Sequence, residues 1–157
     1  MKYFDVQPAD RVMYDRWKIT TEDWNCQWEY KDQYRRLFVP RGYTYDGASI
    51  PRIAWSRIGL TPDGEIRAAS LAHDVLYRAA GGRKPEEWRG CKLMNENGNT
   101  VFVSRQEADW LFYEFCVFAT IPRRRARIAW LAVRLAGWKF WGKNPPSGIP
   151  PVEVFDG

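Results

Sequence analysis

Apolar and polar positions alternate over short runs in the first 45 residues, as in Arg11-Val12-Met13-Tyr14 and Gln27-Trp28-Glu29-Tyr30. That two-residue period belongs to half-buried strands. Leu37-Phe38-Val39 is a further short strand, and Pro40 with Arg41-Gly42 supplies a turn before Tyr43-Thr44-Tyr45. Residues 1–45 therefore predict a small antiparallel sheet. The texture then changes. Asp46 to Pro51 reads DGASIP; Gly47 permits unusual backbone angles and Pro51 disfavours helix at Ile50, which predicts an ordered loop. A short helical turn is expected over Ile53 to Ile58.

Glu65 to Ala80 lacks Gly and Pro and runs into Gly81-Gly82, a helix with a C-terminal stop. The polar stretch from Arg83 to Asn99 is expected to cross between helices, with Asn97-Gly98 as a hairpin turn before the strand-like Thr100-Val101-Phe102-Val103. Ser104 and Glu107 stand three apart, the capping-box spacing, and predict a helix through about Ala119. After Pro122 a basic amphipathic helix is expected from Arg123 to Lys143, closed by Gly142. Asn144 to Gly157 holds four prolines and reads as an extended tail. The fold class is thus α+β in a single domain, 1–157. A β-rich part over 1–45 precedes a helical part over 46–143 with two facing long helices, and a proline-rich tail over 144–157 follows.

The length of 157 residues suits one compact domain. Hydrophobic residues at 45% and charged residues at 27% exclude disorder and fibrous repeats. A net charge of +5 favours anionic partners. Cys26, Cys91 and Cys116 are odd in number and widely spaced, which argues against a disulfide framework or a zinc site and predicts reduced thiols. The first ten residues lack an apolar signal core, and no run reaches the length of a membrane span, so neither a signal peptide nor a transmembrane segment is expected.

The single histidine, His73, falls in the middle of the first long helix, with Tyr77 four residues on along the same face. A neutral imidazole takes a proton from water when a carboxylate fixes its tautomer and stabilises the imidazolium. Asp74 lies about 100° around the helix and points elsewhere, whereas Asp109, on the capped helix, can lie across from His73. The plainer reading is a hydrogen-bonded structural histidine, with Asp74 paired to Arg78 at i,i+4.

Three blocks stand in order: DGAS-IPR at Asp46 to Arg52, HD-LY at His73 to Tyr77, and SR-AD-F at Ser104 to Phe112. Over about Val39 to Leu135 they resemble a family of small phage- and prophage-encoded proteins of unassigned function. The implied setting is the cytoplasm of an infected bacterial host, or the virion. More distantly, the DG-x-S loop, HD-x-x-Y helix and D-x-x-F helix are similar to those of secreted phospholipase A₂, particularly its bacterial and fungal branch. That resemblance implies His73 as general base for water, Asp109 as the carboxylate holding it, and Tyr77 as the hydroxyl supporting that carboxylate. It also implies a calcium site from Asp74 with the Asp46-Gly47-Ala48 loop. Calcium takes oxygen ligands, so a carboxylate, loop carbonyls and water suit it, and the cation would polarise an ester carbonyl. Phe112 and Leu76 would then line an acyl channel, against the plainer reading of helix packing.

In the basic helix, Arg123, Arg124 and Arg127 with Trp138 and Trp141 are expected to contact a phospholipid surface, arginines towards phosphate and rings at the acyl boundary. The plainer reading has its apolar side covering the core. Nucleic acid is a weaker candidate partner, with no named motif behind it. The expected function is a phage-encoded, calcium-assisted phospholipase A₂-like hydrolase; the alternative is a non-enzymatic virion or tail-associated protein in contact with other phage structural proteins. A zinc-dependent peptidoglycan hydrolase using Asp46, His73 and Asp109 ranks lower because one histidine makes a poor soft-metal site. A serine hydrolase using Ser49 lacks the nucleophile-elbow pattern.

Overall fold

The computed structural model describes residues 8, 10–14, 17–45, 50 and 67–143. The DGAS loop, the expected turn over 53–58 and the proline-rich tail lie outside the described residues.

The N-terminal part is antiparallel β-structure, followed by helices in mutual contact, an α+β arrangement. Among the described residues six strands form: β1 (Asp10–Tyr14), β2 (Trp17–Thr20), β3 (Trp24–Tyr30), β4 (Gln33–Val39), β5 (Thr44–Tyr45) and β6 (Lys92–Met94). They make two three-stranded sheets rather than the single sheet expected, ordered β1-β2-β5 and β3-β4-β6. The hairpin of β3 and β4 turns at Lys31 and Asp32, both in the left-handed region, and its register runs from Tyr30↔Gln33 to Trp24↔Val39. The strand period then puts Trp24, Cys26 and Trp28 on the buried face with Leu37 and Val39. Thr20 binds the two sheets together: its hydroxyl donates to the Pro40 carbonyl at 2.9 Å and accepts from the Tyr43 amide at 2.9 Å.

The 83–99 segment does more than cross between helices. Its β6 pairs with β4, Leu37 opposite Leu93, because Leu93 completes the apolar face that β4 leaves open. Asn97-Gly98 makes the expected turn, with the Asn95 side chain accepting from the amides of Asn97 and Asn99 at 3.0 Å each. The returning arm keeps only a bridge, Met94↔Thr100. Val103 is drawn instead to the end of the preceding helix, its amide donating to the Gly81 carbonyl at 3.0 Å and its carbonyl accepting from Arg83 at 2.8 Å.

Among the described residues three α-helices follow: α1 (Arg67–Arg78), α2 (Arg105–Phe118) and α3 (Arg123–Ala136). α1 packs on α2, and α2 on α3. Ser104 caps α2 by accepting from the Glu107 amide at 3.1 Å, but only half of the capping box forms. The Glu107 carboxylate is buried and accepts from Trp28 Nε1 at 2.9 Å, with Arg35 Nε at 3.4 Å. A buried indole N–H needs an acceptor, so Glu107 ties α2 to the β3-β4 sheet.

The basic helix is shorter than expected, ending at Ala136 rather than Lys143. Gly137 lies against Tyr77, where an added Cβ would come within 2.5 Å of the hydroxyl. Past a short 3₁₀ turn (Gly137–Lys139), the Gly142 amide donates to the Tyr77 carbonyl at 2.6 Å, so the chain folds back across α1 instead of continuing outward. Cys26, Cys91 and Cys116 are free and buried, and burial pushes the Cys91 and Cys116 thiols up to about 12.

Gly81 closes α1 at φ +67°, and a Cβ there would stand 1.9 Å from the Val103 carbonyl oxygen. Gly98, at φ +80°, has nothing within 4 Å of that position. Gly81→Ala is expected to destabilise the protein by about 3 kcal/mol or more, combining left-handed strain with a backbone clash, and Gly98→Ala by about 1 kcal/mol from strain alone. Chemical denaturation of the two variants checks the difference.

Candidate functional site

Helical spacing projects His73 and Tyr77 from one face of α1, and α2 lays Asp109 across from them. His73 Nε2 is 3.0 Å from Asp109 Oδ1, and the Tyr77 hydroxyl donates to the same oxygen at 2.5 Å. A carboxylate only accepts, so Nε2 carries the hydrogen, and in the neutral ring the lone pair sits on Nδ1. The imidazole stacks on the Tyr77 ring with centroids 4.0 Å apart, and Phe112 leans on it at 5.5 Å. Trp141 meets Tyr77 edge-on at 5.0 Å.

The second oxygen of Asp109 takes two arginines that the sequence alone did not single out as partners. Arg134, from α3, donates to Oδ2 at 2.7 Å, and Arg105, one turn before Asp109 on α2, at 3.3 Å. Arg105 also donates to the Arg134 carbonyl at 3.3 Å, satisfying an orphan acceptor in the last turn of α3. The Arg105–Asp109 spacing of four was a visible signal. Nothing local marked Arg134, which reaches Asp109 only because α3 packs on α2.

Asp109 is fully buried and His73 is 1% exposed. Burial by itself raises a carboxyl's pKa. In Asp109 the hydrogen bond from His73, the charge that ring carries when protonated, and the bonds from Tyr77 and Arg134 outweigh burial and hold the carboxyl below the ordinary range. Tyr77 is pushed far up, first by burial and then by the Asp109 charge, so it stays a neutral donor. Glu107 shifts the other way: burial raises it, only partly opposed by Trp28 and Arg35.

Asp74 is buried on a different side of α1, as its offset from His73 predicts. Its charge is among the causes that raise the Tyr43 hydroxyl, after burial. Arg78 Nη1 donates to the Tyr43 hydroxyl at 2.8 Å and to the Thr44 carbonyl at 3.1 Å. Asp46 and Gly47 lie outside the described residues. Among the described residues no group of three or more His, Cys, Asp or Glu could hold a metal ion. For an oxygen-liganded cation Asp74 offers one hard donor, and the remaining oxygens would have to come from the loop.

Phe112 and Leu76 are wholly buried, in the packing role rather than along an open channel. Arg123, Arg124 and Arg127 are exposed, as is Trp138. Trp141, expected beside Trp138 at a surface, turns inward onto Tyr77 because the chain folds back after Gly137. Among the described residues no helix is long and apolar enough to cross a membrane.

A family model described as a protein of unknown function (DUF1353) matches residues 21–133. The chain belongs to the DUF1353 family. The matched span takes in β3 to β6, α1, α2 and most of α3, and with them His73, Tyr77, Arg105 and Asp109 of the DUF1353 chain; Arg134 follows directly. No curated protein and no solved structure matches the chain.

The lowered pKa of Asp109 carries a stability signature. Its contribution is complete above the ordinary carboxylate range near 3.9 and is lost as pH falls through the lower folded value. Thermal melts between about pH 7 and pH 2 should therefore show an acid limb that Asp109→Asn flattens. At neutral pH the same variant should lose about 3 kcal/mol, because two guanidiniums are left facing a neutral amide.

Proposed function

We propose that this protein is a hydrolase of the phospholipase A₂ type, acting on a lipid ester with His73 as general base and Asp109 as the group that holds and stabilises it. One observation carries the reading: the 3.0 Å contact of His73 Nε2 with Asp109 Oδ1, made across two helices on the oxygen that also accepts from Tyr77. With Nε2–H committed to the carboxylate, Nδ1 takes a proton from water as the water oxygen bonds to the ester carbonyl carbon. The resulting imidazolium is paired with Asp109. When the tetrahedral intermediate collapses, the C–O bond to the alcohol breaks and the leaving oxygen takes the proton back from Nδ1, giving a free acid and an alcohol. Tyr77, Arg105 and Arg134 fix the carboxylate and so act as positioning residues.

Asp74 with the carbonyls of Asp46, Gly47 and Ala48 would hold calcium, a choice supported by the all-oxygen chemistry of those groups. When bound, the cation would polarise the ester carbonyl. The setting in this reading is a phage-infected bacterial cell, on the strength of the DGAS-IPR, HD-LY and SR-AD-F blocks.

A second reading, a non-enzymatic phage component, draws on one specific observation. The His73–Asp109 pair is shut into the core and already faces Arg105 and Arg134, so an imidazolium would be a third positive charge beside one carboxylate.

Fatty-acid release from phospholipid vesicles separates the two. The wild-type protein should release fatty acid with calcium and stop when chelator is added. His73→Gln should lose about a hundredfold or more, and Asp74→Asn should need far more calcium. Absence of chelator-sensitive release by the wild type refutes the hydrolase; particles carrying the protein at fixed stoichiometry, with His73→Gln fully functional, would establish the second reading.

A further inference from the structure

α3 is apolar on two opposite sides. At about 100° per residue, Ala126, Ala129 and Val133 share the side that is buried against the core. Ile128, Leu131 and Leu135 fall on the far side, all exposed, and Trp138 extends the row from the turn that follows. Leu135 is 77% exposed and Trp138 59%. The row keeps a three-four-three spacing, so these side chains make one continuous ridge rather than scattered exposed residues. Exposed Arg124, Arg125 and Arg127 stand at its N-terminal end, and Lys139 lies over the Trp138 ring at 5.9 Å.

Along the chain, the charge on and beside the ridge is of one sign. Between Glu114 and Glu153 the chain has seven Lys or Arg and no acid. The first turn of α3 contains three of these arginines, no acidic residue and no side-chain cap, the arrangement that a helix dipole disfavours. The helix therefore gives up stability at that end to concentrate positive charge. A second copy laid ridge to ridge would add a second set of arginines, and α3 itself has no carboxylate to pair them. A nucleic acid would satisfy the arginines but has no apolar volume for Ile128, Leu131 and Leu135. An anionic bilayer surface offers both, phosphate for the guanidiniums and an acyl boundary for the ridge.

We propose that the outer face of α3, from Arg124 to Trp138, docks the protein on a membrane leaflet containing anionic phospholipid. With 14 residues the helix is roughly 21 Å long, short of the ~30 Å hydrocarbon core, so it lies along the interface. This surface stands apart from the His73 chemistry and does not depend on it.

Co-sedimentation with vesicles provides the test. The protein should bind phosphatidylcholine vesicles doped with phosphatidylglycerol, bind pure phosphatidylcholine far more weakly, and be released by high salt. Leu135→Ser and Trp138→Ser should each weaken binding about tenfold, the loss of one apolar side chain from the acyl boundary. Both sites are exposed, so far-UV circular dichroism melts should stay unchanged. Arg124→Glu with Arg127→Glu should remove the preference for the anionic lipid, while His73→Gln should bind as the wild type does. Equal binding to both vesicle types, or undiminished binding by the serine variants, overturns the proposal. So does a concentration-dependent dimer that the serine variants abolish, or duplex DNA binding that they leave intact.

Discussion

The Asp109 carboxylate is the point on which the helical half of this protein depends. One side chain, shut off from solvent, accepts from His73 and Tyr77 of α1, from Arg105 of its own helix and from Arg134 of α3. Burying a carboxylate is costly unless every lone pair finds a donor. Here four donors divide evenly between two oxygens, so the charge is retained and three helices are held at one place. Gly137 belongs to the same constraint, because only a hydrogen fits where α3 ends against the Tyr77 hydroxyl.

A second buried acid does the corresponding work between the helices and the sheet. Glu107 accepts from the Trp28 indole and faces Arg35, linking α2 to β3 and β4. The opposite pKa shifts of the two acids express a difference in compensation. Asp109 has more donors than burial can offset, whereas Glu107 has fewer. The imidazole is thereby held in one tautomer and one orientation by groups that are themselves fixed. That is what a general base requires, and it is equally what a rigid core requires. The two roles differ only in whether a reactant reaches Nδ1.

Charge is distributed with the same economy. Positive side chains that enter the core, Arg78, Arg105 and Arg134, each meet a hydroxyl, a carbonyl or a carboxylate. Those on the outer face of α3 gather around an apolar ridge instead. A helix used only to cover a core needs one apolar side; this one has two, and the second has no counterpart inside the described fold.

Much of the architecture was legible from short-range signals. Two-residue alternation marked β1 and β3, the short apolar run Leu37-Phe38-Val39 marked β4, Ser104 marked the start of α2, and Asn97-Gly98 marked a turn, because strand pleat, cap and turn chemistry act over a few residues. The His73–Asp109 contact was also foreseeable, from the faces that the two helices could turn to each other. The tertiary structure alone decided that β6 joins β4, that Glu107 leaves its cap for an indole 79 positions away, that Arg134 reaches a carboxylate 25 positions away, and that Trp141 turns inward. Each of these depends on where one element crosses another, and a crossing is set by the summed shape of packed side chains, which no local pattern encodes.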